Sequence, residues 1–293
     1  MCQLVKRWEQ GICIDFYVDR RFLPMASRLD FIDSAKALPI KDGELLESVK
    51  TLRAQGAYDL ILDPQGLLKS ALVASFLKGP VFGYDFGCTK ECLAPLFYGR
   101  KLRFDYGENV IARALALAHF AFGKDFSSFD LSAFMASREA LFRREIKSRG
   151  DFLLLNSGTS KANKSMSNAQ LQRLCQALNS LNRKIIITWG NEAEKERAKG
   201  AAMGLSGVEL APKLSQEELI DLTSQAALLI GFDTGPSHIA LAQRVKSLLL
   251  FSATKGLRST VVTDENKFIQ RDDFAKLNMD EVLNISKELL CIS

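Results

Sequence analysis

The chain has 293 residues, 47% of them hydrophobic and 25% charged, enough for one large domain or two of ordinary size with an ample apolar core. No apolar run reaches the ~18 residues of a membrane-spanning helix, and charges occupy the first ten residues where a secretion signal needs its apolar stretch. The net charge of +5 is too small for the basic stripe of a nucleic-acid binder, so a cytoplasmic protein without a nucleic-acid partner is expected.

Residues 11–18, Gly-Ile-Cys-Ile-Asp-Phe-Tyr-Val, alternate and are rich in β-formers, which predicts a strand. The ten residues before it read as the end of a helix. An alternating α/β chain ordinarily opens on a strand, so an initial strand and turn are expected to be missing. Helical spacing marks 26–38 and 42–54. Tyr58 to Asp63 predicts a buried strand that stops at Pro64-Gln65-Gly66, and 67–77 an amphipathic helix. Lys69 falls in its first turn, where the helix dipole disfavours a cation; it either serves a ligand or snorkels to solvent. A short strand follows at 80–84, and the helix at 108–122 contains His119, expected to be a packing residue. The densest basic cluster, Arg100-Lys101-Leu102-Arg103, is expected to be a solvated edge. Polar and then charged residues at 124–150 place a domain boundary near 145. The six cysteines are scattered, and no second Cys or His pair completes a zinc site with Cys88 and Cys92, so no metal is expected.

A second α/β series begins at 151. Strands are predicted at 151–155, 184–189, 208–211, 228–232 and 247–252, with helices at 167–181, 215–226 and 280–290. Ser215 and Glu218 form a capping box. Helices between successive strands imply parallel sheets, whose ligands bind beyond the carboxyl ends of the strands. The most telling of these ends is Asp233-Thr234-Gly235-Pro236, where an apolar strand gives way to a helix N-terminus with free N–H groups and a positive dipole end. Such a turn binds an anion or merely makes a turn, and the local pattern alone does not decide. Hydroxyls and lysines at 157–164 suit a diphosphate, and Glu194 suits ribose hydroxyls. No G-x-G-x-x-G or G-x-x-x-x-G-K-[ST] is present, which favours a nucleotide-sugar site over a dinucleotide or phosphate-loop site.

Four motifs, in order, resemble those of the bacterial ADP-heptose:lipopolysaccharide heptosyltransferases. They are Tyr58-Asp-Leu-Ile-Leu-Asp-Pro-Gln-Gly-Leu-Leu-Lys-Ser70; Lys90-Glu91 with Ala94-Pro-Leu-Phe-Tyr98; Trp189-Gly190 with Glu194; and Asp233-Thr-Gly-x-x-His238. The likeness spans roughly residues 11–260, and Trp189-Gly190 and Asp63-x-Gln65-Gly66 favour type I members over type II. The resemblance implies an α/β GT-B fold: two Rossmann-like domains facing across a cleft, here 1–145 for the acceptor and 146–293 for ADP-heptose. It implies inverting transfer of L-glycero-D-manno-heptose from ADP-heptose to Kdo of the lipopolysaccharide inner core. The acceptor would be Kdo-lipid A, met at the cytoplasmic face of the inner membrane by peripheral contact, with no cofactor and no metal. By the family's motifs, Thr159, Ser160 and Lys164 hold the diphosphate, with Thr234 and Gly235 giving N–H donors. Glu194 binds ribose, Leu214 lies against adenine, Asp233 holds heptose hydroxyls and His238 orders the site. Gln65, Lys69 and Lys90 are the acceptor-side candidates, Lys90 standing where the family has Arg. The family's first strand and its loop aspartate, the acceptor base, have no counterpart here, so no catalytic residue is assigned. Asp15, Asp19 and Asp63 are candidates by location. Two alternatives follow: a truncated remnant that binds ADP-sugars without transferring them, and a type II enzyme with another acceptor.

Overall fold

In the computed structural model, which describes residues 1–38, 45–142, 148–158, 166–252 and 256–292, strands and helices alternate along the chain. The chain divides into two units, Met1–Ser27 with Phe31–Leu131, and Arg28–Asp30 with Ser132–Ser293. The first contains α1 (Cys2–Trp8), β1 (Asp15–Asp19), α2 (Leu23–Ala26), β2 (Ser34–Leu38), α3 (Leu45–Arg53), β3 (Ile61–Leu62), α4 (Leu68–Phe76), β4 (Val81–Tyr84), β5 (Arg100–Leu102) and α5 (Val110–Ala121); α6 (Leu131–Ser137) follows.

Residues 26–38 are not one helix. They hold the last residue of α2 and then β2, where Ala35 and Ala37 alternate with Ser34 and Lys36. Over so few residues a period of two is easily taken for helical spacing. Among the described residues the sheet of this unit is in two parallel pieces, β1–β2 and β3–β4–β5. Side chains link β1 to the segment ahead of β3. The Tyr58 hydroxyl donates to Asp15 Oδ2 at 2.6 Å and lies 2.8 Å from the Tyr17 hydroxyl. The Lys36 ammonium donates to the same Asp15 oxygen at 2.6 Å and to Gln55 Oε1 at 2.9 Å. The core of this unit packs Leu52, Ala71, Val73, Ala74 and Leu77 against Ile61, Val81 and Tyr98. β5 is an edge strand whose Arg100 and Lys101 are exposed, and charges of this kind discourage pairing with another chain. His119 is buried, with Nδ1 2.8 Å from the Leu115 carbonyl and its ring against Trp8, Phe126 and Phe129. It packs.

The second unit contains β6 (Phe152–Asn156), α7 (Asn168–Asn179), β7 (Lys184–Thr188), α8 (Glu192–Ala202), β8 (Val208–Leu210), α9 (Gln216–Gln225), β9 (Leu228–Phe232), α10 (Gly235–Ala242), β10 (Ser247–Phe251), α11 (Gly256–Ser259), β11 (Asn266–Gln270) and α12 (Met279–Leu290). Among the described residues its six parallel strands run in the order β11-β10-β9-β6-β7-β8. Period-two alternation sends Leu153, Leu155, Leu228, Ile230, Leu248 and Leu250 to one face, under α7, α8 and α12. Leu154, Leu229, Leu249 and Phe251 go to the other, with Ala240 and Leu241 of α10. Strands covered on both faces read as continuous apolar runs, which is why they are conspicuous in the sequence. β11 is the exception: Asn266-Lys-Phe-Ile-Gln270 sits at the sheet edge with mixed polarity and carries no comparable signal.

Candidate active site

The strand order makes a site before any side chain is considered. The chain builds β6, β7 and β8 outward in one direction, then returns to lay β9 on the other side of β6. Connections leaving β6 and β9 therefore diverge, opening a crevice beyond the carboxyl ends of these two strands. Asn156, Ser157 and Gly158 end β6 there, and Asp233 to His238 follow β9 there.

Thr234 is the N-cap of α10, and Pro236 occupies its second position, where a missing N–H costs the helix nothing. The helix lies close to the sheet because residue 231 is glycine; a Cβ there would stand 2.7 Å from Ser237 Oγ. At the other strand ends, Asn156 Nδ2 donates to Thr234 Oγ1 at 2.5 Å, and the Thr188 hydroxyl donates to Asn156 Oδ1 at 3.3 Å. Thus β6, β7 and the start of α10 are tied by one buried polar chain. Asp233 and His238 pair across the first turn of α10, Oδ1 to Nε2 at 3.3 Å, with His238 the more exposed of the two.

Glu194 occupies the third position of α8, after the Asn191 N-cap whose Oδ1 accepts the Glu194 N–H at 3.0 Å. Its Oε2 accepts from the Gly190 N–H at 2.6 Å, and the residue is only 6% exposed. A Cβ at Gly158 would come within 2.8 Å of this oxygen, so the carboxylate fills space that only a glycine leaves. Beside it, Trp189 donates its indole N–H to the Ala211 carbonyl at 2.8 Å. The Lys195 and Lys213 ammoniums each lie 4.9 Å from its ring centroid, within cation–π range. Lys213 also donates to the Gly190 carbonyl. Leu214 is half-buried next to Ser215, the N-cap of α9. Five predicted donor residues, Glu194, Asp233, Thr234, Gly235 and His238, thus stand at the strand ends of this one sheet, with Leu214 beyond β8. Thr159, Ser160 and Lys164 lie outside the described residues. Asn156, Thr188, Gly158 and Lys213 were not singled out by sequence; the usable signal for the first two was a polar residue ending an apolar strand.

In the first unit, Gln65, Lys69 and Lys90 are all exposed. Gln65 and Lys69 flank the turn after β3, where the Leu68 N–H of α4 donates to Glu91 Oε2 at 2.6 Å. Of the carboxylates considered by location, Asp63 is 4% exposed and fully engaged. Its Oδ2 accepts from the Ser70 and Tyr98 hydroxyls, both at 2.7 Å, and its Oδ1 from the Gln65 N–H at 3.0 Å. Asp15 belongs to the Lys36–Tyr58 group; hydrogen bonds from those two hold its carboxyl below the ordinary range against the opposing effect of burial, the largest single influence. Asp19, at the carboxyl end of β1, is gripped by the Arg21 guanidinium through both oxygens, at 3.1 and 3.0 Å, which lowers it to about 2. A carboxyl so acidic is a feeble base near neutrality. Each of the three is already engaged by other side chains.

Residues 46–284 match the sequence profile of Glycosyltransferase family 9 (heptosyltransferase). The chain belongs to this family. Lipopolysaccharide heptosyltransferase 1 of Campylobacter coli is 32% identical over 98% of this chain and 93% of its own length. Among solved structures, the family-9 chain is similar to E. coli heptosyltransferase WaaC with ADP, at a TM-score of 0.82 and 22% identity over 98% of this chain and 94% of that one. It is also similar to the same enzyme with ADP-2-deoxy-2-fluoro heptose, at a TM-score of 0.79 and 21% identity over 97% and 92%. At these identities the likeness speaks to the fold, which is that of GT-B glycosyltransferases. Like its family, the chain is an α/β protein with parallel sheets and a glycosyltransferase.

Proposed function

We propose that this glycosyltransferase moves L-glycero-D-manno-heptose from ADP-heptose to a Kdo sugar of the lipopolysaccharide inner core, with inversion. The observation that carries the donor half is the crevice beyond the carboxyl end of β6, with the N-terminus of α10 after β9 on one side and the Glu194 carboxylate after β7 on the other. A helix N-terminus carries about half a positive charge and unpaired N–H groups. Placed against a diphosphate, it stabilises the charge that develops as the bond between the sugar and ADP breaks. Glu194, held by Gly190, presents a carboxylate to ribose hydroxyls. Leu214 offers an apolar surface to adenine, and Asp233, steadied by His238, faces the heptose. Thr159, Ser160 and Lys164 complete the diphosphate grip.

In the transfer itself, the acceptor hydroxyl attacks the anomeric carbon from the face opposite ADP. The new glycosidic bond forms as the sugar–phosphate bond breaks, and the hydroxyl proton passes to a base. We assign the acceptor to the first unit, with Gln65, Lys69 and Lys90 on its side, and the donor to the second. The acceptor is Kdo-lipid A at the cytoplasmic face of the inner membrane. No helix of the described residues is long and apolar enough to cross a membrane.

The test is transfer from ADP-heptose to Kdo-bearing lipid A, followed by mass spectrometry and by the anomeric coupling of the product. Absence of product with intact ADP-heptose binding would sink the transferase reading for this polypeptide and leave a sugar-nucleotide binder. Lys164→Ala is expected to weaken ADP-heptose binding by ~1.5–3 kcal/mol, the range for a charge-assisted hydrogen bond. An unchanged dissociation constant removes Lys164 from the site.

A further inference from the structure

An N-cap threonine ordinarily turns its hydroxyl back to accept the N–H of the second or third helical residue. Thr234 does not: its side chain makes no capping hydrogen bond to α10. Its Oγ1 is held instead by Nδ2 of Asn156 at 2.5 Å, and it stands 3.4 Å from the Phe232 carbonyl. Asn156 is itself fixed. It is 3% exposed, and its Oδ1 accepts from the Thr188 hydroxyl at 3.3 Å and from the Gly158 N–H at 3.4 Å. The other hydroxyl of this turn is drawn off too: Ser237, fully buried, donates to the Phe232 carbonyl at 2.5 Å. Neither hydroxyl of this turn closes the end of α10.

We propose that Asn156 is a positioning residue for the donor diphosphate: by holding Thr234 Oγ1, it keeps the N-terminus of α10 uncapped and its first-turn N–H groups open to phosphate oxygens. The inference rests on the donor reading above. A threonine hydroxyl in its own helix turn is a competing acceptor at very high local concentration. Released from Asn156, it would occupy an N–H that the diphosphate otherwise takes. Asn156 then touches no ligand and acts wholly through Thr234.

The experiment is ADP titration by calorimetry on the full chain and three variants, each first checked for folding by circular dichroism. Asn156→Ala is expected to raise the ADP dissociation constant roughly fivefold, the usual strength of an N-cap. Thr234→Val removes the competing hydroxyl while keeping the backbone N–H, and its ADP dissociation constant is the reference against which the double variant is read. Asn156→Ala combined with Thr234→Val is expected to recover to about the level of Thr234→Val alone. This rescue separates positioning from simple structural damage, which the second substitution would deepen. If Asn156→Ala does not fold, Asn156→Ser, whose shorter hydroxyl cannot reach Thr234, takes its place. Wild-type affinity in Asn156→Ala, or a double variant that binds ADP no better than Asn156→Ala, overturns the proposal. An unchanged protein that binds no ADP overturns the donor reading and this inference together; binding with failed rescue overturns only the inference.

Discussion

The Glu194 carboxylate and a side chain at position 158 compete for one volume: Oε2 stands 2.8 Å from where a Cβ on Gly158 would be. Gly158→Ala must therefore push the carboxylate off the Gly190 N–H that holds it. ADP affinity is expected to fall by about 1.5–3 kcal/mol, the cost of a misplaced charged hydrogen-bonding group. Calorimetric titration checks this. A variant that binds ADP normally would show that Glu194 is not needed in its present position.

Gly83 and Tyr98 stand in a similar relation. A Cβ on Gly83 would lie 2.3 Å from the Tyr98 ring, whose hydroxyl reaches buried Asp63. Gly83→Ala is expected to destabilise by about 1–3 kcal/mol through overpacking. Tyr98→Phe keeps the ring and removes only the donor to Asp63, for a loss of about 1.5–3 kcal/mol. Urea denaturation with unchanged m-value measures both. A neutral Tyr98→Phe would mean that Ser70 and Gln65 satisfy Asp63 by themselves.

Arg21 accounts for the acidity of Asp19, lowered to about 2. Arg21→Ala should raise the carboxyl toward its ordinary value near ~3.9, short of it because the N–H of residue 21 still donates to Asp19 Oδ1 at 3.0 Å. Carboxyl NMR titration reads this directly, and an Asp19 that still titrates near its original value in the variant would assign the shift to something other than the guanidinium. Restored basicity at this strand end also asks whether Asp19 gains any part in transfer; on the present geometry the rate at neutral pH is expected to be unchanged.

How much of this was legible beforehand depended on how continuous each signal is. Leu228 to Phe232 and Ser247 to Phe251 are buried on both faces, so their apolar runs mark strands unmistakably. The turn at Asp233 to Pro236 was equally plain, because Gly and Pro have backbone meanings of their own. Strand β2 was misread because Ser-Ala-Lys-Ala-Leu is half-buried throughout and too short to fix a period. The Asn156–Thr234 contact joins residues 78 apart in sequence, and no local pattern carries such a pairing. Nor could composition show that Asp63 and Asp15 are engaged by other side chains, since Tyr98, Lys36 and Tyr58 are brought in by tertiary packing; the partner of Asp19 stands only two residues on.

The two sheet pieces of the first unit are joined by a seam that titrates. Backbone ladders are indifferent to pH; Asp15, Lys36 and Tyr58 are not. Asp15 is depressed in the folded chain, so its contribution is present above the unfolded value near ~3.9 and is lost as pH falls through its lower folded value. Tyr58 is pushed up, chiefly by burial, and Lys36 is raised by its bond to Asp15. Their contributions are present below their unfolded values near ~10 and fade as pH rises beyond them. The core of the six-stranded sheet is closed by leucine and isoleucine, and the Cys175 thiol among them is pushed up to about 12 by burial. Acid should therefore loosen the amides of β1 and β3 to hydrogen exchange while β6 and β9 stay protected, giving one polypeptide two separate acid limits.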